Sequence, residues 1–254
     1  MKTLEVLFTP ADFAALKRRN LDDATGVVLD VFRASSSIVT ALANRAAAIV
    51  PVAEISEALA IRQQDPKVLL AGERDGLRIR SELTGGADFD LGNSPREFTR
   101  ERVSGRTIVM TTTNGTRALR ACAHAQRVLI GSFLNLQATA DLLQRQPTEH
   151  LLIVCSGTFD QAALEDVLAA GALCDLLWSR FAGTEVSDSA LLARRLFQTS
   201  GDDLANVARE SRNARRLLNR PELREDVAFS LQHNLFSITP VLDAQGRIRL
   251  NDGG

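Results

Sequence analysis

The sequence predicts a three-layer α/β/α fold: a largely parallel or mixed sheet with helices on both faces, then a helical segment and a C-terminal β-hairpin. Three observations carry this prediction. Short apolar strand-like runs alternate with helical periodicities as far as residue 155. Three of those runs end in small polar and charged residues with a helical pattern directly behind: Val27–Arg33 into Ser35-Ser36-Ser37, Thr107–Met110 into Thr111–Thr116, and Leu151–Cys155 into Ser156-Gly157-Thr158. The 254 residues, 45% hydrophobic and 24% charged, can bury a substantial core as one unit over 1–254 or as two fused lobes divided near 125–150.

In chain order, the Val27–Arg33 strand precedes a helix over Ile38–Asn44 and a buried strand over Ala47–Val52, in which Pro51 suggests an edge or an irregularity. Glu54–Gln64 has helical periodicity, and Val68–Ala71 is a short strand. Gly72–Gly92 reads as a long loop with five glycines, a length often tied to function. Ser94-Pro95 has the cap and first-position proline of a helix running to Glu101. Strand 106–110, helix 116–123, strand 127–133, helix 135–145 and strand 151–155 follow. From Ala162 to Gln232 the pattern is mostly helical, with starts at Ser187-Asp188 and Pro221 and a cap at Asp202-Asp203. Phe236–Leu242 and Arg247–Leu250 flank a turn as a terminal hairpin.

Composition narrows the function classes. A net charge of -1 and the lack of a basic tract interleaved with aromatics argue against a nucleic-acid partner, and the arginines of 209–224, Arg215-Arg216 among them, read as a solvated helical face. Met1–Pro10 lacks the apolar region of a signal peptide and no long apolar window follows, so the expectation is a soluble cytoplasmic protein without a membrane partner. The three cysteines and three histidines lack zinc-site spacing or a triad pattern, so reduced thiols are expected. The oligomeric state stays open, a homo-oligomer included.

Strand-to-helix loops rich in Gly, Ser and Thr favour phosphate or carboxylate, because helix N-termini carry unpaired N–H groups and partial positive charge. In open α/β sheets ligands sit outside the carboxyl ends of the strands, so the three clusters are expected on one face. Asp30 interrupts an apolar strand with Arg33 three residues on; it either ligates a divalent cation or pairs structurally with Arg33. Glu73-Arg74 repeats the arrangement, and each arginine offers a planar fork to phosphate, sulfonate or carboxylate. Thr112, Thr113, Asn114, Gly115 and Thr116 supply more donors than a capped turn uses. Asn93 and Ser94 either start a helix or contact an anion. Glu165 and Asp166 either complement a helix dipole or add oxygen ligands for Mg²⁺. Asp88-Phe89-Asp90 resembles an aspartyl-phosphate motif in the wrong context, Cys174 and Arg180 have phosphatase spacing inside a helix, and there is no Walker or dinucleotide motif.

Taken together, Asp30-Val31-Phe32-Arg33-Ala34-Ser35, Gly72-Glu73-Arg74, Leu91-Gly92-Asn93-Ser94-Pro95, Thr111–Thr116 and Cys155-Ser156-Gly157-Thr158 with Glu165-Asp166 resemble the 2-phosphosulfolactate phosphatase family, densely over residues 25–175. Phe32, Ser35 and Phe159-Asp160-Gln161 depart from its pattern. The resemblance implies a Mg²⁺-dependent hydrolase that removes phosphate from the small anionic substrate 2-phospho-3-sulfolactate or a related phosphorylated hydroxy acid, a reaction of coenzyme M synthesis. On that reading Asp30 and Glu165, with Glu73 or Asp166, hold Mg²⁺, while Arg33, Arg74 and the 111–116 loop neutralise charge. Water, Asp30 and Cys155 all stand as candidate nucleophiles. A non-catalytic phosphometabolite sensor and a lyase or isomerase of a phosphorylated hydroxy acid are the alternatives.

Overall fold

The run Ala24–Leu29 is buried at every position because the sheet is covered on both faces. The structure is a computed structural model describing residues 1–181 and 183–250. Its strands are β1 (Thr3–Leu7), β2 (Ala24–Leu29), β3 (Ala48–Pro51), β4 (Leu69–Arg74), β5 (Leu77–Arg78), β6 (Thr107–Thr111), β7 (Arg127–Gly131), β8 (His150–Cys155), β9 (Glu185–Val186), β10 (Pro240–Leu242) and β11 (Ile248–Leu250). They form one mixed sheet in the order β5-β4-β6-β3-β11-β10-β7-β2-β8-β1-β9.

Two parallel blocks, β4-β6-β3 and β7-β2-β8-β1-β9, are joined by the β10-β11 hairpin. The hairpin is terminal in sequence but central in the sheet. It runs antiparallel to both neighbours and meets each through a single residue pair, Val241 with Leu129 and Ile248 with Ile49. Three antiparallel steps separate β7 from β3, so the two blocks run in opposite senses.

Alternation sorts the side chains into two cores. Val27, Leu29, Leu151 and Ile153 pack with helices Leu136–Arg145, Leu164–Leu177 and Asp188–Ser200. Val28, Leu152 and Val154 face the other way, with helices Ala34–Ala43 and Gly115–Cys122. A smaller cluster including Ala58, Phe89 and Val109 seats helix Ile55–Gln64 on the second block. Among the described residues, no helix is long and apolar enough to cross a membrane.

Several boundaries differ from expectation. The short strand β1, with only Leu4, Val6 and Leu7 buried, carries too little pattern to be read alone, yet it pairs with β8 and β9. Pro51 does not mark an edge: β3 lies inside the sheet, and proline is tolerated as its last residue because the next N–H, that of Val52, supplies the bond to Met110 O. The 72–92 segment holds β5 and a helical turn, Ser81–Thr84, and the helix expected from Ser94 is split into Pro95–Glu97 and Arg100–Val103. Ser187 caps its helix as expected, its Oγ accepting from Ala190 N. The helix expected at Pro221 begins at Arg224, and Asp203 reaches the cap position of Leu204–Arg209 without a side-chain cap bond.

Candidate functional site

Strand β2 stops at Leu29 because the next residue leaves the ladder. Asp30 N donates to Ser35 Oγ at 3.0 Å and Ala34 N donates back to Asp30 Oδ1 at 3.2 Å, a closed turn that opens the Ala34–Ala43 helix. The Asp30 carboxyl is buried in consequence. Burial is the largest influence on it, and with the nearby charges of Glu73 and Glu165 it pushes the acid up to about 7, against the Ala34 N–H and Arg33. A second helix begins beside it at Gly115. A Cβ there would stand 2.9 Å from Asp30 Oδ2 and 2.8 Å from the Ala34 Cβ, so only glycine lets that helix N-terminus approach.

Asp30 lies in a cleft also lined by Arg33, Glu73, Asn93, Thr112, Thr113 and Asn114. The loops that follow β2 and β8 thus meet those that follow β4 and β6, although the blocks run in opposite senses. The four threonines of the 111–116 loop divide their work. Thr111 Oγ1 donates to Ala53 O and Thr116 Oγ1 to Thr112 O, each at 2.9 Å, and Thr113 Oγ1 donates to Glu73 Oε1 at 2.8 Å. Thr112 Oγ1 is buried with no partner, as is Asn93 Oδ1. Buried polar atoms are normally paired, so these two are open positions for a ligand.

The acids fare differently from one another. Both oxygens of Glu73 are occupied, Oε1 by Thr113 N and Oγ1 and Oε2 by Gly76 N at 2.7 Å. Asp166 is likewise spent, Oδ1 accepting from Val31 N at 2.8 Å and Oδ2 from Gly157 N at 3.3 Å, and burial with the charges of Glu165 and Asp30 holds it well above the usual carboxylate range. Gly157, at φ +66, makes this turn; a Cβ would lie 2.5 Å from Gln161 O. Glu165 keeps one oxygen free. Its Oε1 accepts from Asn213 Nδ2 at 2.6 Å, Oε2 is buried without a partner, and burial raises its pKa against the Asn213 bond.

The structure places other expected residues behind the cleft wall. Arg74 turns back onto Glu73 O, Ala53 O and Thr111 Oγ1, and Ser94 Oγ donates to Asp226 Oδ1 at 2.6 Å. Cys155 is fully buried, its thiol pushed well above its ordinary value by burial and by Asp166, the opposite of an activated thiolate. Arg33 lines the cleft but is tied to Asp226 Oδ2 at 2.8 Å and to Gly76 O at 2.6 Å.

The chain beyond Ala162 also contributes residues that sequence reasoning missed. Asn213 Nδ2 bridges Glu165 and Thr158 Oγ1, and Arg216 and Arg220 line the cleft. The arginine stretch read as a solvated face therefore puts two of its members over the site. The one available signal was Asp226, an acid beside Val227-Ala228-Phe229, which is fully buried.

Among the described residues no three His, Cys, Asp or Glu side chains are grouped as a ready-made metal cage. Magnesium needs none, since it usually takes one or two carboxylates and completes its octahedron with water and phosphate. An all-oxygen donor set, with Glu165 Oε2 orphaned and Asp30 buried beside two further acids, fits that ion.

Residues 12–245 match the sequence model for 2-phosphosulpholactate phosphatase. Among similar proteins, each named "probable 2-phosphosulfolactate phosphatase", that of Caldicellulosiruptor saccharolyticus is 38% identical over 195 residues, 75% of this chain and 78% of its own. That of Thermotoga petrophila is 38% identical over 218 residues, 86% and 88% of the two chains. The protein of Symbiobacterium thermophilum is 38% identical over 226 residues, 88% and 93%.

Proposed function

Because the chain belongs to the 2-phosphosulfolactate phosphatase family and is a phosphoric monoester hydrolase, we propose that it converts 2-phospho-3-sulfolactate, or a related phosphorylated hydroxy acid, to the hydroxy acid and inorganic phosphate in a Mg²⁺-dependent reaction. One observation carries the site assignment: Asp30, a buried acid raised to about 7, lies in a cleft where the Thr112 hydroxyl is a buried donor without a partner.

Asp30 and Glu165 are the residues that would hold Mg²⁺: Glu165 Oε2 is buried without a partner and Asp30 accepts only from Ala34 N, whereas every oxygen of Glu73 and Asp166 already accepts a hydrogen bond. When bound, the ion supplies positive charge against the phosphoryl oxygens. Thr112 Oγ1 and the N-terminus of the Gly115–Cys122 helix receive those oxygens from the protein side, fixed in place before the substrate arrives. Asn213 keeps Glu165 oriented, and Glu73 clamps the Thr113 and Gly76 backbones so that two loops hold one shape. Attack by water fits this arrangement better than attack by Cys155, whose thiol is buried. In that step the oxygen of water bonds to phosphorus as the ester P–O bond breaks, and the proton the water gives up balances the one that the departing alkoxide takes up.

Phosphate release from 2-phosphosulfolactate, measured with Mg²⁺ and with EDTA, tests this. Release that requires Mg²⁺ and disappears in Asp30→Asn is expected. Release that is indifferent to EDTA would remove the metal from the mechanism, and no release would remove the substrate assignment.

A further inference from the structure

The phosphate cradle leaves a charge problem unsolved. A phosphorylated hydroxy acid carries at least one more anionic group, and the cleft already holds Asp30, Glu73 and Asp75. Some cation must meet the far end of the substrate. Arg33 cannot serve freely, since Asp226 neutralises it and Gly76 O takes its second nitrogen.

The adjoining cavity shows what a committed arginine looks like here. Arg78, Arg80 and Arg96 line it, and each is paired, with Glu97, Asp88 and Glu225. Arg216 and Arg220 differ. Among the described residues Arg216 has one ion-pair contact, with the highly exposed Asp75 at 3.9 Å, and Arg220 has none. Both line the cleft, Arg216 in the last turn of the Arg212–Leu218 helix and Arg220 two residues beyond its end. Arg216 also lies over the Phe159 ring, 5.5 Å from its centroid, with Arg212 at 5.8 Å. Phe159 itself stays more than half exposed, in a left-handed turn with φ +51 followed by Asp160 at φ +58. A large apolar ring held outward in an unfavourable conformation within cation–π range of two guanidinium groups is a platform that helps to place them.

We propose that Arg216 and Arg220 form a second anion subsite, which reads the carboxylate or sulfonate of the substrate while the Asp30 side of the cleft takes the phosphate. This rests on the phosphatase reading above and names what selects the substrate within it. A guanidinium fork suits either planar carboxylate or tetrahedral sulfonate through paired N–H donors.

The test compares wild type with Arg220→Gln, Arg216→Gln and Arg220→Lys on esters that differ at the far end: 2-phosphosulfolactate, phospholactate with a carboxylate only, sulfoethyl phosphate with a sulfonate only, and isopropyl phosphate with neither. For Arg220→Gln, KM for the anion-bearing esters should rise about 10- to 100-fold with kcat changed far less. The loss in kcat/KM on those esters should exceed the loss on isopropyl phosphate by at least tenfold, and Arg220→Lys should recover part of it. Whichever of the two single-anion esters suffers more names the group that is read. Equal losses on all four esters would overturn the subsite. Calorimetric titration of 3-sulfolactate, which has no phosphate, tests the subsite without turnover: affinity should fall at least tenfold in Arg220→Gln, and unchanged affinity or no binding to wild type overturns it. Absent phosphate release from wild type, with 3-sulfolactate still bound through Arg220, would instead defeat the hydrolase reading alone.

Discussion

Asp30 at the end of β2 and Glu73 at the end of β4 occupy equivalent positions in two blocks of one sheet, and both face the same cleft. Their surroundings make them different tools. Glu73 accepts three hydrogen bonds from the loops around it, so its carboxylate is part of the scaffold. Asp30 accepts one, from Ala34, and is left buried among other acids. A carboxylate at a strand end is thus a structural clamp when the neighbouring loops fold back to donate to it. It is left available as a ligand when they do not.

The largest expected effect comes from removing the Asp30 charge. Asp30→Asn should lower turnover by about 10³-fold or more, the scale at which a group essential to phosphoryl transfer acts. The same change should stabilise the metal-free protein. An acid raised from 3.8 to about 7 keeps its proton in the native state over that interval while the unfolded chain has lost it, so native stability falls as pH rises from about 4 to 7. The full cost above pH 7 is roughly 4 kcal/mol. In EDTA, Asp30→Asn should melt about 8–16 °C above wild type at pH 8, with the gap closing towards pH 4. A variant no more stable than wild type at pH 8 would show that Asp30 is not strained by its burial.

Glu73→Gln should behave in the opposite way. Its amide cannot accept from Gly76 N while its oxygen serves Thr113, so a bond that held the loop becomes a repulsion costing about 1–3 kcal/mol. Melting should fall by several degrees at every pH between 5 and 8. If Glu73→Gln instead abolished Mg²⁺ dependence with melting unchanged, the contrast between the two acids would collapse.

Gly115→Ala probes the same contrast from the other side, because its Cβ would press on Asp30 Oδ2 and the Ala34 Cβ. A loss of about 1–3 kcal/mol and a higher Mg²⁺ concentration at half-maximal activity are expected, read by melting and by metal titration. The smallest effect belongs to Cys155→Ala. A fully buried thiol with a raised pKa contributes packing, so turnover should stay within about threefold of wild type. A dead Cys155→Ala that melts like wild type would restore the thiol as nucleophile.

Much of this was legible before folding. The strand–loop–helix units at Asp30, Thr111–Thr116 and Cys155–Thr158 announced both the layered fold and the cleft, because period and loop chemistry are local properties. Arg74 and Ser94 were legible as types but not as roles, since a guanidinium or hydroxyl serves backbone and ligand equally well. The Arg209–Arg224 stretch was misread for a related reason: nothing in its spacing says which of its arginines lies over a cleft built 50 and more residues away.

The sequence by itself determined most of the central strands and helices, the two-faced burial of β2 and β8, and the cluster of acids, threonines and glycine at the strand ends, since each follows from neighbours a few residues apart. Tertiary structure alone decided that a C-terminal hairpin would join the two blocks, that loops from oppositely directed strands would meet, and which acids would keep an oxygen free. Those outcomes depend on partners such as Asn213 for Glu165, Val31 for Asp166 and Asp226 for Arg33, 48, 135 and 193 residues apart in the chain. A hydrogen bond at that separation exists only when packing delivers both ends, and no local pattern encodes it.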